Sequence, residues 1–341
     1  MGLFSAFIKT GKDHIGIDIG SHSVKTVELV KEKDIFRIKN MGYARVKKAN
    51  SAESLLEAIS ESVSMAKIAP NKDVNVAISG SSVVVRFIEL PRMNEDELKN
   101  AIIFEAEKYI PFSVNDVIID HQLIIPHLAD NKMLVLLIAA KKDVINERLE
   151  IINKAGLSVN IIDVVSLAGV NAFLTTAGRK KDEVAAIINV GAKGTDISIV
   201  SDDTLYFTRS VQIGGNDLTK ALSDSLSLGQ KEAEELKVNP GERAREVSEC
   251  VKTVLYTIAD EIRLSFSYYE NQSGRNIGRI YLSGGTAKGM NIGDILHERL
   301  DVDVELWEPS VSMAMESPIK KELADSLKYQ MSTAIGLALR R

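Results

Sequence analysis

Ile15-Gly-Ile-Asp-Ile-Gly-Ser-His-Ser-Val-Lys25 and Ile187-Ile-Asn-Val-Gly-Ala-Lys-Gly-Thr-Asp-Ile197 are two versions of one device. Each starts as an apolar strand, reaches an acidic or amide residue (Asp18, Asn189), turns over small residues and resumes as a second strand. Such a turn lets backbone N–H groups approach an anion with no Cβ in the way. Two of them, in separate halves of the chain, predict a two-lobed molecule that grips a nucleotide's phosphate tail from opposite sides. In the first, Asp18, Gly20, Ser21, Ser23 and Lys25 lie close together. Asp18, at the strand end, is placed to hold a hydrated Mg²⁺; the Gly20–Ser21 turn offers N–H groups, and Lys25 adds a positive charge. Gly191, Lys193, Gly194 and Thr195 repeat the device. One Asp-x-Gly-Ser turn alone is equally a plain hairpin, so the argument needs further elements.

Three are present. Gly214-Gly-Asn-Asp217 follows a strand and opens a helix, so the N–H groups of Gly214 and Gly215 are expected to point into a cleft, with Asp217 beside them. Glu234 and Lys237 stand three apart on one helix face, able to hydrogen-bond a ribose, although such a pair can equally be a solvated ion pair. Ile280-Tyr-Leu-Ser-Gly-Gly-Thr-Ala-Lys-Gly289 ends a strand in a turn with no bulky side chain, and at Gly284, Gly285 and Thr286 a flat purine could slide against backbone.

The rest of the chain supports a duplicated α/β architecture. Strands are predicted at 15–20, 24–31 and 34–46, then a helix at 51–67 and a strand at 74–78. A block at 83–157 reads as an inserted α+β subdomain: a strand to Leu90, a helix capped by Asn94, two strands at 117–125 and 132–140, and a helix ending at Gly156. Strands at 184–190, 195–201 and 204–212 repeat the opening meander. Helices follow at 216–227 and 229–237, then a long one from Asn239-Pro240 to about residue 271. These readings give a first lobe at 1–182 and a second at 183–330, with a mostly helical subdomain at 223–274. A closing helix at 331–341 returns to the first lobe.

Composition narrows the function classes. The chain has 341 residues, enough for two cores, and a net charge of −5 without a basic stripe, which argues against nucleic acid as a partner. Its one cysteine, Cys250, excludes an internal disulfide framework and suits a reducing compartment. The histidines are too scattered for a metal site. No apolar run approaches the ~18–20 residues that span a bilayer. Residues 3, 4, 7 and 8 form one short apolar face that could touch a membrane or a partner, or dock on its own domain.

The order of these motifs resembles the actin-like ATPase superfamily, a duplicated, ribonuclease H-like two-lobed fold. The phosphate loops fall at 15–25 and 187–197, a connecting helix at 161–178, an adenosine loop at 280–289 and a closing helix at Ser332-Thr-Ala-Ile-Gly-Leu-Ala-Leu339. Within it, the inserted block is similar to that of the FtsA and PilM families. Gly16-Ile-Asp-Ile-Gly-Ser-His-Ser-Val-Lys25, Val85-Arg-Phe-Ile-Glu-Leu-Pro91 and Phe104-Glu-Ala-Glu-Lys-Tyr-Ile-Pro-Phe112 resemble PilM, over essentially the whole chain.

The resemblance implies ATP or ADP with Mg²⁺ between the lobes. It also implies a cytoplasmic scaffold of pilus assembly at the inner face of the inner membrane, without inserting into it. The partner would be the N-terminal tail of PilN, with other inner-membrane assembly proteins and the assembly ATPase as further partners, and self-association open. Ile102, Ile103, Ala106 and Tyr109 are candidates for a partner groove, or for simple subdomain core. The sequence ends at Arg341, where FtsA relatives carry an amphipathic anchor. Two departures bear on chemistry. Asn189 stands where the second loop usually has Asp, and an amide cannot accept a proton at neutral pH. Around Val164-Val-Ser166 there is no Glu or Gln to orient a water. Slow or absent hydrolysis is therefore expected. An FtsA-like filament and a small-molecule kinase, with Asp217 as its base, are the competing readings.

Overall fold

A computed structural model of the chain describes residues 14–33, 35–178, 182–289, 291–316 and 321–340. The apolar face at residues 3–8, and Arg341, lie outside these. In the first half, β1 (His14–Ile19), β2 (Ser23–Glu32) and β3 (Ile35–Arg45) form an antiparallel meander, followed by α1 (Ala52–Met65) and β4 (Asp73–Ile78). An extra unit comes next: β5 (Val83–Pro91), α2 (Glu95–Ala106), β6 (Val117–Ile125) and β7 (Lys132–Lys141). Then come α3 (Lys142–Lys154), β8 (Ser158–Val164) and α4 (Val165–Thr176). The second half runs β9 (Ala185–Val190), β10 (Thr195–Ser201), β11 (Thr204–Val211), α5 (Gly215–Leu226), α6 (Gln230–Val238) and α7 (Ala244–Ser273). It closes with β12 (Arg279–Ser283), α8 (Ile292–Leu300), β13 (Asp303–Leu306), α9 (Lys321–Leu327) and α10 (Ser332–Ala338).

The duplication is explicit in the topology. One sheet has the order β3-β2-β1-β4-β8 and the other β11-β10-β9-β12-β13. In each, an antiparallel meander gives way to two parallel strands reached by crossovers. Parallel strands under helices are covered on both faces, so they read as apolar runs without alternation. That explains the main departure from expectation. Residues 161–164, predicted as the start of the connecting helix, are strand β8, paired parallel with β4. The helix starts only at Val165. Ser158-Val-Asn-Ile-Ile-Asp-Val164 is rich in β-branched residues, and Asn160 to Val164 are all buried. The long helix also begins later than Asn239-Pro240, after a 3-10 turn at Gly241–Arg243.

The extra unit lies between β4 and α3, with its own antiparallel sheet, β5-β7-β6, and its own core. Asn94 and Glu97 cap α2 reciprocally, each side chain accepting the other's backbone N–H at 2.9 Å. This core takes in two of the four groove candidates. Ile102 and Ala106, one turn apart, point into it and are buried, while Ile103 and Tyr109 are 49% and 39% exposed. The four residues do not share a face.

Two helices tie the lobes together. α10 is buried along its whole length, between β1 and α4. A Cβ on Gly336 would sit 1.7 Å from the Ala168 carbonyl oxygen, and one on Gly16 would sit 2.1 Å from that of Ala334. Backbone therefore meets backbone at both places, which only glycine permits. Phe173 of α4 packs edge-on against Tyr281 of β12 and against Trp307, with centroids 4.8 and 5.3 Å apart. After β13 the chain crosses to the first sheet, where Ile38 N–H donates to Ala314 O at 2.9 Å.

Candidate functional site

The two hairpins match residue for residue. Asp18 is the cross-strand partner of Lys25 and Ile19 of Val24; Asn189 is the partner of Asp196 and Val190 of Thr195. The turns close alike, with Gly20 N–H donating to Ser23 O at 3.1 Å and Gly191 N–H to Gly194 O at 2.9 Å. In the first hairpin Lys25 Nζ reaches Asp18 Oδ2 at 3.0 Å, both side chains nearly buried. In the second, an amide faces a carboxylate. Burial pushes the Asp196 carboxyl up, hydrogen bonds from Ser210 and Asn189 pull it back, and the Asp18 charge pushes it up again. The sequence reading missed Asp196. Superposing the hairpins by register would have found it, because it holds the position of Lys25.

Between the hairpins lies a cavity of about 440 Å³. Asp18, Gly20, Ser21, Ser23, Lys25, Gly191, Lys193, Gly194, Thr195, Gly215, Glu234, Lys237, Gly284, Gly285 and Thr286 all line it. So do His22, Arg45, Asp196 and Gln330, which the motifs did not single out. Its carboxylates are Asp18, Asp196 and Glu234, against the cations Lys25, Arg45, Lys193 and Lys237. That balance suits an anionic ligand. Lys193 Nζ reaches across to Asn50 Oδ1 of the first lobe at 3.1 Å.

Gly214 and Asp217 are outside this lining, and the reason is local. Asp217 Oδ2 accepts the Gly214 N–H at 2.8 Å, closing a cap on α5. Gly215 and Asn216 then donate their N–H groups to Gly191 O and Ala192 O at 2.9 and 2.8 Å. The start of α5, expected to offer its donors to the cleft, instead anchors the second hairpin. Thr195 is similar: its hydroxyl donates to Ile213 O at 2.8 Å.

The Glu234–Lys237 pair is not a solvated ion pair. Lys237 Nζ is 2.5 Å from Glu234 Oε2, 2.7 Å from Thr219 Oγ1 and 3.0 Å from Gly215 O. Thr219 Oγ1 donates to the same Glu234 oxygen. Burial alone pushes the Glu234 carboxyl up; the bonds from Lys237 and Thr219, with the charges of Lys237 and His22, more than offset that and hold it below its usual range. Opposite, Gly284 has φ +105°, and a Cβ there would meet the Val190 carbonyl oxygen at 2.3 Å. Gly285 has only the tip of Gln330 near its missing Cβ, at 3.5 Å, so a flat group can lie against it.

The glycine cradle, the paired cations and the flat loop fit a nucleoside phosphate. Mg²⁺ fits only with help. No group of three or more acidic, His or Cys side chains is placed to hold a metal among the described residues. Asp18 already has one oxygen on Lys25. A hydrated Mg²⁺ beside Asp18 would therefore take most of its ligands from phosphate and water, as this ion commonly does.

Two duplicated sheets, an interlobe cleft and helices tying the halves together define the actin-like class of two-lobed folds. Residues 16–341 match the family of the type IV pilus assembly protein PilM, and the chain belongs to that family. A solved PilM–PilN type IV pilus biogenesis complex is similar over 96% of this chain and 97% of that one, with a TM-score of 0.85 and 25% identity. The ethanolamine utilization protein EutJ from Carboxydothermus hydrogenoformans shares the fold, with a TM-score of 0.57 and 14% identity over 99% of this chain and 93% of that one. The cell division protein FtsA of Enterococcus faecalis is 26% identical over 211 residues, 55% of this chain and 47% of FtsA. The chain thus spans about half the length of the curated relatives it matches. No helix among the described residues is long and apolar enough to cross a membrane.

Proposed function

We propose that this protein holds an adenine nucleotide, ATP or ADP with Mg²⁺, between its lobes. Its task is that of a scaffold in pilus assembly, docking the N-terminal tail of a PilN-like inner-membrane protein. The observation that carries the nucleotide reading is the single cavity shared by the two register-matched hairpins, the Glu234–Lys237 pair and the 284–286 loop. The partner reading rests on family membership and on similarity to a solved complex of PilM with PilN.

In this site the first hairpin would hold the phosphates through its N–H groups and Lys25, with Asp18 oriented by Lys25 toward a hydrated Mg²⁺. Mg²⁺, when bound, would supply charge neutralisation at the phosphates. Lys237, itself fixed by three oxygens, would present Glu234 to the ribose. Hydrolysis would be slow. Asn189 cannot take a proton, and Asp196 across from it is engaged by Ser210 and Asn189. Losing a base of this kind lowers a rate by ~10²–10⁴.

Calorimetry with Mg·ATP and Mg·ADP, followed by a PilN-like tail peptide, tests both halves. Saturable nucleotide binding, weakened at least tenfold in Asp18→Ala, and nucleotide-sensitive peptide binding are expected. No nucleotide binding at millimolar concentration, or a brisk steady-state ATPase that Asp18→Ala abolishes, would overturn the reading.

A further inference from the structure

His22 stands at the tip of the first hairpin, half-buried, with its side chain on the cavity wall. Its carbonyl oxygen accepts the Val46 N–H at 2.9 Å, which pins the turn to the end of β3 independently of the imidazole. Among the described residues, the ring lies within electrostatic reach of charged groups from both lobes. These are Lys25 on β2, Arg45 on β3, and Glu234 and Lys237 on α6 of the opposite lobe. Glu234, the one acid among them, is already engaged by Lys237 and Thr219.

We propose that His22 senses phosphate charge, taking up a proton when the anionic tail of a nucleotide enters the cavity and releasing it when the tail leaves. The inference rests on the nucleotide reading above and gives His22 a role which that reading does not. Burial first, with the charges of Arg45, Lys237 and Lys25, outweighs the opposing charge of Glu234 and holds the empty-site imidazole below its ordinary value, favouring the neutral ring. A phosphate tail brings several negative charges among those same cations. Opposite charge within ~4–6 Å moves such a group by about 1–3 units toward its charged form. A neutral ring therefore becomes an imidazolium that faces the tail from the first lobe and Glu234 from the second. The sign follows from linkage. A group whose value rises on binding strengthens binding fully below its free value, and that gain fades as pH climbs through its bound value.

Calorimetry of Mg·ADP and Mg·ATP at pH 7, in buffers of different ionisation enthalpy, counts the protons directly. The wild-type protein is expected to take up on the order of half a proton or more per nucleotide. Adenosine, without a tail, should take up none. Between pH 6 and 8 the affinity should fall with rising pH, by up to about tenfold per unit. His22→Gln, whose turn is kept by the backbone bond to Val46, should show no excess uptake over the nucleotide's own ionisation and a flatter profile. A shift of the His22 imidazole resonance on nucleotide addition, read by NMR, would support the assignment. Equal proton uptake in wild type and His22→Gln would overturn this inference while leaving nucleotide binding intact. Absence of any nucleotide binding would overturn both.

Discussion

Asp120, on β6, is the most exacting residue outside the cleft. One carboxylate oxygen accepts the His121 N–H at 2.8 Å; the other is buried with no hydrogen-bond partner among the described residues. Burial and the neighbouring Asp163 charge outweigh that one bond, and the carboxyl is pushed up to about 6. Since its value is raised by folding, the penalty is full above pH 6 and vanishes below about 3.8, where both states carry the proton. Asp120→Asn should therefore stabilise the protein at pH 7 by on the order of 1 kcal/mol after solvent screening, and by almost nothing once the pH is about a unit below the unfolded value. Urea midpoints at the two pH values measure it. A gain of equal size at both would mean that the charge is irrelevant. Legibility at this scale was uneven. Asp18 and Asn189 could be read because they end apolar strands, whereas Asp196 and His22 matter through register and through charges brought from the other lobe. Gly214 and Asp217 looked like cleft residues because a helix start offers donors, but a cap and a neighbouring turn had already used them.

At the scale of elements, the packing of α10 is the sharpest test. Gly336 leaves no room for even one carbon against Ala168 of α4. Gly336→Ala should cost at least about 2 kcal/mol, the range for overpacking a tight contact. It should also lower nucleotide affinity, because Ser332 and Thr333 at the start of the same helix line the cavity. A thermal melt beside a binding titration would show both; an unchanged melting temperature would refute the contact. The meander strands and the capped helix α2 were legible because alternation and capping are local. Strand β8 was not. A short apolar run covered on both faces carries neither period, and only its pairing with β4 decides it. On α1, Ser54 and Ser62 are buried beside Ala58, Ile59 and Val63, the second serine hydrogen-bonded to Thr26 at 2.8 Å, and hydroxyls on an inner face carry no apolar period to read.

Across the whole molecule, one buried ion pair fastens the end of the chain to the first sheet. Arg340 Nε reaches Asp163 Oδ2 at 2.5 Å, with the aspartate 1% exposed, and Asn75 Nδ2 bonds the Leu337 and Arg340 carbonyl oxygens at 2.9 and 3.2 Å. Arg340→Ala strands a buried carboxylate and should cost about 3–5 kcal/mol. Arg340→Met with Asp163→Asn should recover much of that, and chemical denaturation of the set separates a lost charge pair from lost packing. The two-lobed plan was legible because it is written twice, but this fastening joins residues far apart in sequence with no local pattern.

The bare crossing of α4 and α10 restricts how the halves can move. With no side chain between Ala168 and Gly336 there is no layer to shear, and lengthwise travel would drive carbonyls into one another. The crossing is therefore a rivet: it fixes the last helix against the one that leaves the first sheet, backbone on backbone, with no play along either axis.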